Sequence, residues 1–117
     1  MLSELKQIPE FESYCLDKNG NIYSNRNNKL KQLSPYITKD GYRKINLYKN
    51  GKCSKFRMAR LILITFVGMP ENDEWEACHK NDVRNDDRVE NLEWNSHQYN
   101  MEQIRKKLRE PSGDDIF

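Results

Sequence analysis

Apolar positions in the first half of the chain come in short runs that alternate with polar ones and break at glycine and asparagine. The alternation is cleanest from Tyr42 to Tyr48, where Tyr42, Lys44, Asn46 and Tyr48 share one parity and Arg43, Ile45 and Leu47 the other. A period of two is that of a strand with different surroundings on its two faces. Asn19-Gly20, Asn27-Asn28, Asp40-Gly41 and Asn50-Gly51 are turn signals between such runs. Strands are therefore expected at 11–16, 22–24, 29–33, 42–48 and 53–56, folded as a small antiparallel meander with a cationic polar side.

The pattern changes at residue 57. Met58, Leu61, Ile62, Leu63, Ile64 and Phe66 follow with no Gly or Pro among them, and Gly68 and Pro70 then act as stop signals. The spacing predicts a buried helix at about 57–66, although β-branched Ile62, Ile64 and Thr65 keep a strand open. An acidic loop at 71–74 leads to a short strand at 75–79, a polar loop at 80–88, and a return strand or a turn-rich substitute at 89–94. Asn95 and Ser96 are candidate N-caps for a helix at 97–109, which places Met101, Ile104 and Leu108 on one face and ends at Pro111. Trp75 and Trp94 read as core residues.

Composition narrows the class. Of 117 residues only 36% are hydrophobic and 32% are charged, and the mean hydropathy is −1.03. No apolar run approaches the roughly 20 residues of a membrane span. The opening residues lack a signal-peptide pattern. Three widely spaced cysteines with no Cys-x-x-Cys pair make a poor disulfide or zinc framework. An intracellular protein in a reducing cytosol is expected, with Cys15 and Cys53 packed in strands.

Charge adds a partner. The net charge of +2 hides twelve cations against one acid, Asp40, between Lys18 and Arg60. A basic face on a nearly neutral chain points most simply to nucleic acid. Arg43, Lys44, Lys55, Arg57 and Arg60 are the candidate DNA contacts, with a solvated lysine surface as the plain alternative.

The candidate chemistry lies further on. Cys78-His79 is followed by Asn91, twelve positions after the histidine, and by Asn100, nine positions after that. A strand, a turn, a return strand and a helix could bring these side chains around one point, which could hold a metal ion and a scissile phosphate.

The run Ala77-Cys78-His79-Lys80-Asn81-Asp82, then Asp87-Arg88-Val89-Glu90-Asn91-Leu92-Glu93-Trp94, then Asn100 resembles the HNH homing endonucleases of phages. Upstream, Asn19-Gly20-Asn21-Ile22-Tyr23-Ser24, Gly41-Tyr42 and Arg60-Leu61-Ile62 resemble the small modular domain that precedes those nucleases. The resemblance implies an α+β chain: a basic N-terminal β-rich module at 1–70, a ββα-metal (HNH) motif at 71–110, and a tail at 111–117. It implies a metal-dependent endonuclease acting on double-stranded DNA, phage-encoded and working in the host cytoplasm. A monomer with one site would nick one strand.

By the same resemblance His79 is the general base, Asn91 orients its imidazole, and Asn100 ligates the metal, with His97 as an alternative ligand. A neutral imidazole can accept a proton at neutral pH. A divalent cation, Mg²⁺ or Mn²⁺, would neutralise charge at the phosphate. Cys78 occupies the place of a metal-binding aspartate, and a thiol favours softer metals. Asp82 or another nearby acid could contribute instead. Ala59 stands where a histidine often precedes the Arg-Leu of the upstream helix. The chain also stops soon after Lys107 and Arg109, where many relatives continue into a DNA-reading module. The rival class is a catalytically impaired HNH-fold module that binds DNA or a protein partner.

Overall fold

The computed structural model describes residues 4–96. The helix expected at 97–109, with His97 and Asn100, lies outside the described residues.

Four strands, β1 (Lys6–Ile8), β2 (Phe11–Leu16), β3 (Ile22–Arg26) and β4 (Lys29–Leu33), form one antiparallel sheet in chain order. A second antiparallel sheet holds β5 (Tyr36–Ile37), β6 (Arg43–Lys49) and β7 (Lys52–Arg57). The expected single meander is thus two sheets. They part at Ser34-Pro35, where proline has no N–H to donate to a ladder. The hairpin turns follow from sequence: Asn27 and Asn28 (φ 53° and 61°) and Asn50-Gly51 (φ 52° and 78°) supply the paired positive φ angles of a two-residue loop.

Helix α1 (Met58–Phe66) follows β7 without a break, close to its expected span. Gly68, at φ 114°, closes it, and the Val67 and Gly68 amides both donate to the Leu63 carbonyl. The ambiguity at Ile62 and Ile64 resolves as a helix because the segment is covered on several sides. Met58, Ala59, Leu61, Ile62, Leu63 and Thr65 are all buried. All of these but Thr65 pack with Ile8, Tyr14, Leu16, Ile22, Ile45, Leu47 and Leu92 in one cluster. Burial of each large apolar side chain contributes roughly 1.5–3 kcal/mol. This cluster runs across the boundary expected near residue 70.

A third, two-stranded sheet pairs β8 (Glu76–His79) with β9 (Leu92–Asn95). One turn of 3-10 helix, Val89–Asn91, leads into β9 and takes the place of the first part of a return strand. Trp94 packs against the common core and donates its indole N–H to the Gly68 carbonyl at 2.8 Å, which ties β9 to the helix end. Trp75 is only half-buried and stands outside that cluster.

Candidate active site

His79 is the last residue of β8 and is buried. Its register partner is Leu92 at the start of β9, so the core holds the ring's backbone in place. Between these strands the chain makes a loop, and that loop carries two hydrogen-bond networks.

The first network runs inward. His79 Nε2 lies 2.7 Å from Asp87 Oδ1, and Asp87 Oδ2 lies 3.2 Å from Arg43 Nη1. Arg43 Nη2 donates to the Gly20 carbonyl at 3.0 Å. The Asp87 side chain is 1% exposed, His79 5% and Arg43 19%. The turn after β2 therefore sits directly on the loop after β8, and Val89 N donates to the Lys18 carbonyl at 2.9 Å. Glycine is required at position 20: φ is 91°, and a Cβ there would stand 3.1 Å from the Asp87 carbonyl and 3.2 Å from Arg43 Nη1.

The second network closes the loop on itself. Asn91 Oδ1 accepts from Asn81 N at 3.1 Å, while Asn91 Nδ2 donates to Asn81 Oδ1 and to the Asp86 carbonyl, both at 2.9 Å. The Asn91 carbonyl accepts from Lys80 N at 2.7 Å. Arg88 grips Asp86 with two bonds of 2.8 Å, and Asn81 Nδ2 donates to the same carboxylate at 2.9 Å. The Arg88 hydrogen bonds, with that of Asn81, hold the Asp86 carboxyl well below the usual carboxylate range.

These contacts give two of the expected residues partners that the sequence did not indicate. Asn91, expected to orient the imidazole, is occupied with Asn81 and Asp86. The side chain bonded to the His79 ring is Asp87, and sequence reasoning gave it no role. Arg43, expected on the DNA face, turns inward. Its parity with Ile45 and Leu47, the buried positions of β6, was the available signal.

The other expected cations stay together. Lys44 pairs with Arg57, and Asn46 with Lys55, across β6 and β7, so Lys44, Lys55 and Arg57 share the outer face with Tyr42. The Arg57 guanidinium stacks 4.0 Å from the Tyr42 ring centroid, and that of Arg84, another residue missed in the sequence, lies 5.1 Å from it. Arg84 also donates to the Asp40 carbonyl at 2.7 Å. The Tyr42 ring centroid is 6.1 Å from that of His79. Arg60 lies apart from this group, 5.3 Å over Trp94.

Cys78 precedes the histidine and faces away from it, opposite Glu93. Its thiol is buried and lies 3.6 Å from the Glu76 carbonyl. Burial, then the charges of Glu76 and Glu93, push its pKa up to about 11. Cys15 is buried as expected, whereas Cys53 is exposed. No helix among the described residues is long and apolar enough to cross a membrane.

Comparison with known proteins places this architecture. The chain is 33% identical over 100 residues to the DNA endonuclease I-HmuI of Bacillus phage SP01, a match covering 85% of this chain and 56% of that protein. It is 32% identical over 80 residues to the H-N-H endonuclease F-TflII of Escherichia phage T5, covering 68% and 40%. The solved structure of the HNH homing endonuclease I-HmuI, described as binding and cleaving DNA, superposes with a TM-score of 0.79 and 30% identity. That match covers 94% of this chain and 62% of the other. The chain thus spans about half the length of these relatives. No protein-family model matches it.

Proposed function

We propose that this chain, which belongs to the HNH endonuclease family, is a DNA endonuclease that hydrolyses phosphodiester bonds with His79 as general base. One observation carries the reading. The His79 imidazole stands beside Tyr42, whose ring is flanked by Arg57 and Arg84. A proton acceptor one aromatic ring away from two guanidinium groups suits attack by water on an anionic phosphodiester. The guanidinium groups hold the phosphate and offset its charge. The imidazole removes the proton from the attacking water.

Lys44 and Lys55 extend the cationic face beyond Arg57. Their contacts to the duplex backbone position it and carry little sequence information. The described chain offers one such site, so a single encounter nicks one strand.

The family resemblance also implies a divalent cation, but the described donors do not fit a hard one. At the position of the expected carboxylate stands Cys78, buried, with its thiol kept protonated at neutral pH. Asn100 lies outside the described residues. The buried Cys78 thiol favours the second reading, a module that binds DNA without cutting it.

Conversion of supercoiled plasmid by the wild type and by His79→Ala separates the two, with lanes holding EDTA, Mg²⁺ or Mn²⁺. Open circles are expected from the wild type, reduced on the order of 10² to 10⁴-fold in the variant. EDTA lanes report whether a cation is needed. Retained binding with no cleavage in any lane would replace the nuclease with the binding module.

A further inference from the structure

The imidazole of His79 has two nitrogens, and only one can take a proton from water while the ring is neutral. We infer that Asp87, held by Arg43, is the positioning residue that selects that nitrogen, leaving Nδ1 as the base. The inference rests on the nuclease reading above and deepens it.

The argument is one of hydrogen-bond polarity. The Arg43 guanidinium is always charged and can only donate. Its Nη1 donates to Asp87 Oδ2 at 3.2 Å, so that oxygen of the buried side chain acts as an acceptor. A carboxylate only accepts, so the nitrogen 2.7 Å from Asp87 Oδ1 must bring the proton. His79 Nε2 is therefore protonated and Nδ1 carries the lone pair. The 2.7 Å bond from Nε2 to Asp87 also fixes the direction in which Nδ1 points.

Arg43 acts through Asp87. Its second amino group is anchored on the Gly20 carbonyl at 3.0 Å, so the fork cannot turn away from the carboxylate without breaking that bond. The turn at Gly20 belongs to the first sheet and Arg43 to the second, while Asp87 and His79 lie after α1. The β-rich part of the chain thus sets the protonation pattern of the imidazole, besides presenting cations to DNA.

Long-range ¹H–¹⁵N correlation spectra of the 117-residue chain labelled with [¹⁵N]histidine test this directly. His79 signals are assigned as those lost in His79→Gln. The wild type is expected to show a protonated Nε2 and a bare Nδ1. Asp87→Asn keeps the shape but can present a donor, and a second tautomer should appear. Plasmid nicking by Asp87→Asn should lose on the order of 10- to 100-fold in kcat, with KM nearly unchanged. Arg43→Gln, which leaves Asp87 in place, should give a smaller loss in the same direction, and Arg43→Lys should recover part of it.

A wild-type ring protonated on Nδ1 would overturn the inference, as would an Asp87→Asn protein, folded by circular dichroism, with unchanged tautomer and kcat. If His79→Ala cleaves as well as the wild type, the general-base reading falls. The tautomer spectra then still decide whether Asp87 sets the ring.

Discussion

Asp86 and Asp87 are neighbours in sequence and opposites in structure. Asp86 binds Arg88 and Asn81, partners within five positions, at the surface of its own loop. Asp87 binds part-buried Arg43, 44 positions away, and buried His79. One carboxylate shapes a loop and the other joins two parts of the fold. The lesson concerns screening. An ion pair at the surface exchanges water for a partner at little net gain, whereas a buried one leaves an uncompensated charge when either member is removed.

The sharpest way to break the comparison is to delete the inner carboxylate. Asp87→Ala strands Arg43 and leaves His79 without its acceptor. Unfolding by urea should show a loss of about 3 kcal/mol, the low end for a broken buried pair because Arg43 keeps some contact with water. Asp86→Ala should move the midpoint far less. Equal shifts for the two would mean that the pair with Arg43 is as screened as the pair with Arg88.

Much of this architecture was legible in the chain. The alternation in β6, the asparagine and glycine turns, the buried helix and the span of β8 all followed from period and punctuation. The split into two sheets did not, because β5 has two residues and gives no period to read. The position of His79 could be read, but not its partner. Hydrophobic pattern locates a residue on an element, whereas the partner of a buried polar side chain is set by tertiary packing between distant segments. Asp86 and Asp87 look alike in sequence, and only the approach of Arg43 and Gly20 tells them apart. The inward course of Arg43 does have a signal in the sequence, since it shares the parity of Ile45 and Leu47.

Asn91 tests the loop between these extremes. It is buried, and its amide closes the loop through Asn81 and the Asp86 carbonyl. Asn91→Ala should cost about 1–2 kcal/mol, since groups left without partners lose their bonds but water can reach part of the loop. Its effect on nicking should be mainly on thermal stability of the site, with the His79 tautomer unchanged. A tautomer shift in Asn91→Ala would return to Asn91 the orienting role that Asp87 holds here.

The smallest expected effect is the acid response of Asp86. Its carboxyl is held below the usual carboxylate range, chiefly by Arg88. A carboxyl whose pKa is lower folded than unfolded stabilises the fold above its unfolded value, and the contribution fades as pH falls through the folded value. The ordinary value is 3.8. The stability gap between wild type and Asp86→Asn should therefore be constant at neutral pH and shrink on acidification below about pH 4. Added salt should narrow the gap at neutral pH, because the pair lies in screened surroundings. A gap that is indifferent to both acid and salt would show that the asparagine replaces every bond the carboxylate makes. The loop would then owe its shape to hydrogen bonding alone, leaving Asp87 as the carboxylate of this loop whose charge matters to the fold.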